Sequence, residues 1–91
     1  MERRHDELLT ARLEEVMLNG CSHITWTELY HWYEVQKLAA NTWRDLKKRW
    51  EEVTEGRKAG PLKMVEGRGG MFLHDGSKSK FIDPDRLSGG A

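Results

Sequence analysis

Several features that would point to particular classes of protein are scarce in this sequence. Cys21 is its single cysteine, so no disulfide can form within the chain. No apolar run approaches the roughly 20 residues of a membrane-spanning helix or resembles the apolar region of a signal peptide. The 91 residues, 33% of them charged and 37% hydrophobic, indicate one globular domain with a modest core. We therefore expect an intracellular, cytoplasmic protein.

Net charge is also lacking, since the formal charge at neutral pH is zero. This counts against nucleic-acid binding, because many DNA-binding domains are clearly basic. The charges are nevertheless unevenly distributed. Residues 1–42 carry four basic and seven acidic side chains, whereas residues 43–91 carry eleven basic and eight acidic ones. The chain thus has an acidic end and a basic end.

Aromatic residues are plentiful, and most of them fall between Trp26 and Trp50, where we expect the centre of the core. Residues 41–56 are predicted to form a helix whose buried side combines two tryptophans with aliphatic residues: Trp43, Leu46, Trp50 and Val53. The opposite side and its two flanks are polar and largely cationic: Asn41, Arg44, Asp45, Lys48, Lys47 and Arg49. A helix with this pattern can enter a DNA major groove, although an ordinary amphipathic helix also shows it.

Two more helices are predicted before this one. The first covers residues 2–19, buries Leu9, Leu13, Val16 and Met17, and stops at Gly20 in a left-handed conformation. A strand of one or two residues at Ile24 follows. Thr25 and Glu28 form a capping box that starts the second helix, which runs to about Lys37 and buries Trp26, Leu29, Tyr30 and Tyr33. Trp32 lies off that stripe, so either the chain covers it, with Phe81 and Ile82 as candidates, or a partner does.

The chain after the third helix favours a hairpin. Asn41 is a candidate N-cap of that helix, and a start two residues earlier is the alternative. A short linker of small residues separates this helix from the second one. Two β-capable runs, residues 62–66 and 71–74, flank a glycine-rich tip that carries Arg68. We expect most of residues 75–91 to be loosely held.

This order of elements resembles the winged helix-turn-helix superfamily over about residues 8–74. Residues 41–52 look like the recognition helix of bacterial winged-helix regulators, except that Trp43 and Trp50 stand where that pattern usually has aliphatic residues. Residues 61–68 and 71–75 are similar to the wing of phage excisionase-type architectural proteins. The resemblance implies a mainly α fold with a small β-hairpin, that is, an α+β three-helix winged helix-turn-helix domain in residues 1–80. A partly flexible tail in residues 81–91 would follow.

The resemblance implies sequence-specific binding of double-stranded DNA, typical of a transcriptional regulator. Arg44 and Lys48 are the expected base contacts, and Asn41 would pair with adenine or a phosphate. Phosphate contacts are expected from the remaining cations and one hydroxyl near the helix: Thr42, Lys47, Arg49, Arg57 and Lys58. Arg68 at the wing tip suits a minor groove. We also expect a homodimer, because aromatic residues are in surplus and the first helix carries an apolar stripe.

Two other uses of the same fold stay open. A protein–protein interaction module would fit the zero net charge and the acidic second half of the third helix, and an excisionase-like architectural DNA-binding protein would fit the wing. Enzyme activity is not expected, because the four histidines are scattered and Cys21 has no evident histidine partner. We expect no catalytic residue, cofactor, metal site, small-molecule substrate or membrane partner.

Overall fold

The described residues form three named helices and a three-stranded antiparallel sheet. The structure, a computed structural model, describes residues 1–35, 37–80 and 82–85. In chain order the elements are α1 (Arg3–Asn19), β1 (Cys21–Thr25), α2 (Trp26–Tyr33), α3 (Ala40–Val53), β2 (Leu62–Glu66) and β3 (Gly70–Asp75). The strand order is β1-β3-β2. The predicted α+β class is confirmed, and the layout is consistent with a winged helix.

None of the helices in the described part of the chain is long and apolar enough to span a membrane.

The hydrophobic core forms where α1 packs against the sheet and against α3. The predicted stripe of α1 is buried there in full: Leu9, Leu13, Val16 and Met17. It is joined by residues from the other elements, namely Ile24, Leu29, Trp32, Leu46, Trp50, Met71 and Leu73. The apolar stripe of α1 is therefore internal and is not left for a second subunit.

The connection from α1 to β1 turns at Gly20. Its φ of 91° is left-handed, as predicted, and its N–H donates to the Val16 carbonyl, which closes the helix. The strand that follows has five residues, longer than the one or two predicted, because every residue of β1 pairs with a residue of β3. Only Ile24 of this strand is buried, so the strand shows little apolar pattern.

Helix α2 begins with the predicted capping box between Thr25 and Glu28. It ends at Tyr33 rather than Lys37, because Glu34 adopts a left-handed conformation with φ of 54°. The predicted buried face of α2 is partly wrong: Leu29 is buried as predicted, but Tyr30, also predicted to be buried, is exposed.

Trp32 is covered by the chain itself, with 4% of its surface exposed. Its ring packs in the core, and the Arg12 guanidinium lies 5.5 Å from its centroid. Ile82, one candidate for this contact, is exposed instead. The other candidate, Phe81, lies outside the described residues.

Helix α3 buries Leu46 and Trp50, while Trp43 and Val53 pack against the same core from its edge. Asn41 is not its N-cap, and the helix starts earlier, as the alternative prediction had it. The cap position is Ala39, whose side chain makes no capping hydrogen bond, so Asn41 is already the second helical residue. The helix ends at Val53, and the next residue, Thr54, donates its hydroxyl to the Trp50 carbonyl at 2.7 Å.

The hairpin of β2 and β3 lies where predicted, but the segment after it is better held than expected. Asp75 is fully buried, and its Oδ1 accepts from the Gly60 amide, the Ser77 amide and the Ser77 hydroxyl at 2.7 to 2.9 Å. Lys78 donates to the Met17 carbonyl at 2.6 Å. Residues 75–79 therefore belong to the folded domain. Of the predicted tail, residues 81 and 86–91 lie outside the described residues, and residues 82–85 are exposed.

Candidate nucleic-acid interface

The solvent-facing side of α3 begins with Asn41, Arg44 and Lys48, all of which are exposed. An Arg44 Nη1 donates to Asn41 Oδ1 at 3.1 Å. These residues are three positions apart, so the bond runs along one helix face. Arginine has five N–H donors, so the bond restricts the guanidinium while leaving donors for a second partner. Arg44, one of the two expected base contacts, is thus already coupled to Asn41.

A groove of about 620 Å³ separates α3 from the wing. Arg44, Lys47 and Glu51 line its helix side, and Leu62 and Met64 line its strand side. Its width is fixed at one end, because Trp50 Nε1 donates to the Gly60 carbonyl at 3.1 Å. A buried tryptophan thereby links α3 to the loop from which β2 begins.

The wing tip is fastened to the start of α2. Trp26 donates its indole Nε1 to the Gly67 carbonyl at 3.0 Å and its backbone N–H to the Gly69 carbonyl at 3.3 Å. Within the tip, the Gly67 amide donates to the Gly70 carbonyl at 2.7 Å. Arg68 lies between these anchored positions and is exposed. The sequence held no signal for this role of Trp26, because the bond joins residues 41 positions apart.

Two more predicted cations, Arg57 and Lys58, lie in the loop between α3 and β2 and are exposed. The loop leaves α3 through Gly56, whose φ of 75° is left-handed, and through a turn in which the Arg57 amide donates to the Thr54 carbonyl. It ends at Gly60, which is held by Trp50 and Asp75. Both cations therefore occupy a loop whose two ends are fixed.

The prediction that Arg49 contacts a phosphate is not supported. Its Nε donates to Asp45 at 2.7 Å, its Nη1 pairs with Asp6 of α1, and only 20% of its side chain is exposed. Tyr33 of α2 donates its hydroxyl to the same Asp45 oxygen at 2.6 Å. Arg49 is thus neutralised by two carboxylates and joins α1 to α3. The i, i+4 spacing of Asp45 and Arg49 was a visible signal for part of this arrangement.

The protonation states in this cluster follow from its contacts. Burial alone would raise the pKa of Asp45, but hydrogen bonds from Tyr33 and Arg49 outweigh burial and lower that pKa below its ordinary value. Burial and the Asp45 acceptor raise the pKa of the Tyr33 hydroxyl. The cluster therefore contains an ionised Asp45, a neutral Tyr33 and a charged Arg49 at neutral pH. We name Asp6, Tyr33, Asp45 and Arg49 the helix clamp.

Thr42 is the second predicted phosphate contact that the structure does not support. Only 6% of its surface is exposed, and its backbone N–H donates to the Ala39 carbonyl. It lies four residues before Leu46, so the helical period turns it toward the same buried side. Its amide is therefore already bonded, and little of its side chain is exposed.

The last turn of α3 is acidic, since Glu51 and Glu52 are exposed there, and Glu55 follows just beyond its end. A polyanion would be repelled there and attracted by the cations of the preceding turns, Arg44, Lys47 and Lys48. The exposed predicted residues therefore form a set that we name the cationic face: Asn41, Arg44, Lys47, Lys48, Arg57, Lys58 and Arg68.

Comparison of this chain with protein-family models, with curated proteins and with solved structures gives no match. The exposed side chains and their charges are therefore the basis for inferring its function.

Proposed function

We propose that the protein binds double-stranded DNA sequence-specifically as a cytoplasmic transcriptional regulator of the winged helix-turn-helix superfamily. The observation that carries this proposal is the groove between α3 and β2, because two cations, Arg44 and Lys47, line its helix side against one carboxylate, Glu51. The anchored wing tip adds support, since Arg68 is exposed on a loop held at both sides by Trp26.

In this proposal the N-terminal half of α3 enters the major groove. Arg44 can donate two N–H groups to O6 and N7 of one guanine, and its bond to Asn41 limits the orientations that it samples. Lys48 lies about one turn further along the same face and contacts a neighbouring base. The acidic residues after Lys48 favour an approach in which the end of α3 points away from the duplex.

The rest of the cationic face sets the position of the duplex. Lys47, Arg57 and Lys58 contact phosphates, which fixes the register and contributes affinity without reading sequence. Arg68 reaches a minor groove, where a narrow A·T-rich segment concentrates negative potential and attracts a guanidinium. Arg49 and Thr42 have no part in binding, for the reasons given above.

A single domain of this size with zero net charge should bind weakly, so we propose that two copies bind a two-fold site. The apolar stripe of α1 does not supply the dimer contact, because it is buried within the chain. Light scattering at high protein concentration checks this point. A strict monomer that binds DNA as tightly as dimeric regulators do would contradict it.

The test is a mobility-shift assay with mixed-sequence duplex at low salt, where the protein is expected to retard the DNA. Arg44→Ala should cost about 1 to 3 kcal/mol on a selected site and relax one base position. Lys58→Ala should weaken binding to all sequences alike and reduce the salt slope by about one unit. Arg3→Ala removes an exposed cation from the acidic end and serves as the control, with little expected effect. Equal losses for Arg3→Ala and Arg44→Ala would contradict the proposal.

A protein-interaction module is the second candidate, and the exposed carboxylates on α3 and just beyond it favour it. That candidate predicts no retarded duplex even at low salt. The same assay therefore separates the two functions.

A further inference from the structure

Three side chains form a row across all three strands on the outer face of the sheet, which none of α1, α2 and α3 covers. Phe72 of β3 pairs in register with His23 of β1 and with Val65 of β2. The rings of His23 and Phe72 lie 4.7 Å apart. Side chains alternate along a strand, and the neighbours of Phe72 in β3, Met71 and Leu73, are buried on the inner face. The row therefore faces away from the core.

The two apolar side chains of the row are exposed to solvent. Phe72 is 55% exposed and Val65 is 44% exposed. They line a hollow of about 560 Å³ whose other polar and charged lining residues include Lys63, His74, Ser79 and Lys80. An apolar patch with a polar rim on a small domain is typical of a surface that binds another protein. We name His23, Lys63, Val65, Phe72 and Lys80 the sheet patch.

The charge of the rim indicates what kind of partner fits. Among the described residues that line the hollow, two are lysines and none is a carboxylate. Face-to-face packing of two copies would bring these lysines together, which disfavours a symmetric contact with a second copy. A partner segment with carboxylates would meet the opposite charge. Its apolar side chain would bury the exposed surface of Phe72 and Val65.

We propose that the sheet patch binds a segment of another protein in which acidic residues flank an apolar side chain. The apolar side chain packs on Phe72 and Val65, and the carboxylates pair with Lys63 and Lys80. Met64 lines both the groove and the hollow. Val65 pairs with the outward-facing Phe72, whereas its neighbour Met64 pairs with the buried Leu73, so the sheet patch lies on the other face of the sheet from the core and the α3 groove. The protein can therefore hold DNA and this partner at the same time, and the inference does not depend on the proposed DNA binding.

The test uses the full chain and a short fluorescein-labelled peptide in which phenylalanine and leucine alternate with glutamate. A matched peptide carries glutamine in place of each glutamate. Fluorescence anisotropy is expected to show binding of the acidic peptide and binding weaker by about tenfold or more for the glutamine peptide, a difference of about 1.4 kcal/mol. Phe72→Ser and Lys63→Glu should each weaken binding of the acidic peptide by about the same factor.

Ile82→Ser is the matched control, because Ile82 is an exposed apolar residue outside the sheet patch. It should leave peptide binding unchanged, and circular dichroism should show that all variants fold. Phe72→Ser should also leave duplex affinity unchanged, so that a failure of this inference and a failure of DNA binding are read separately.

Several results would overturn the inference. One is equal binding of the two peptides, or no binding of either. Another is self-association of the wild type that Phe72→Ser abolishes, since a second copy would then be the occupant. A third is peptide binding that appears only in Phe81→Ser, which would mean that the chain's own end occupies the patch.

Discussion

Replacing Arg49 with methionine is expected to destabilise the fold while sparing DNA affinity. Arg49→Met keeps much of the aliphatic stem but removes the guanidinium that joins Asp6 of α1 to Asp45 of α3. A hydrogen bond to a charged group contributes about 1.5 to 3 kcal/mol when partly buried. The Asp6 carboxylate is half exposed, so its pair adds less than about 1 kcal/mol. The free energy of unfolding should therefore fall by about 2 to 3 kcal/mol.

Urea unfolding followed by tryptophan fluorescence measures this change, because Trp43 and Trp50 lie on the same helix. The transition midpoint should fall with an unchanged slope, and the melting temperature should fall by about 10 °C or more for a domain of this size. Lys48→Ala is the control, since Lys48 is exposed on α3 and should change stability by less than about 0.5 kcal/mol.

Duplex binding completes the comparison. Under conditions where it is folded, Arg49→Met should keep the wild-type salt slope, because Arg49 is already paired with two carboxylates. A phosphate contact would behave in the opposite way, with unchanged stability and a salt slope lower by about 0.9. That result would refute the assignment of Arg49 to the helix clamp.

Two further predictions concern the wing and its attachment. Asp75→Asn should lower the free energy of unfolding by about 2 kcal/mol at neutral pH, because Oδ1 of the ionised carboxylate accepts three hydrogen bonds. Burial would raise the pKa of Asp75, but these bonds lower it below its ordinary value of 3.8. The stabilisation by the Asp75 carboxylate is therefore complete above pH 3.8 and is lost as the pH falls through the lower pKa of the folded state. In acid, the free energy of unfolding should thus fall more with decreasing pH for the wild type than for Asp75→Asn. Gly70→Ala should lower the free energy of unfolding by about 1 to 3 kcal/mol, because a Cβ at this position would overlap the Ile24 carbonyl and lie 2.8 Å from the Thr25 Cα. A Cβ at Gly69 would meet nothing within 4 Å, so Gly69→Ala is the control and should be nearly neutral. Thermal unfolding of the two variants measures the difference.

Local signals in the sequence were sufficient for much of the fold. The stripe of α1, the left-handed stop at Gly20 and the capping box of α2 depend on residues within a few positions of one another, and each is confirmed. The glycine-tipped hairpin also depends on residues that are close in the sequence, and it is confirmed as well. Such features are encoded by spacing alone, so a single sequence reveals them.

Contacts between distant residues were the part that the sequence could not reveal. The length of β1 depends on pairing with β3, about 50 positions later, and the buried state of Asp75 depends on Gly60. Arg49 looked like any surface cation because its partner Asp6 is 43 positions away. For Thr42 the sequence did contain the signal, because the helical period that places Leu46 on the buried side also places Thr42 there.

The most direct test of the DNA-binding surface is an NMR titration of the isotope-labelled protein with a mixed-sequence duplex at low salt. Shift changes are expected at the cationic face, strongest for the amides around Arg44, Lys58 and Arg68, with little change along α1 or at Phe72. Shift changes centred on α1 or on the sheet patch, or no changes at all, would contradict the account.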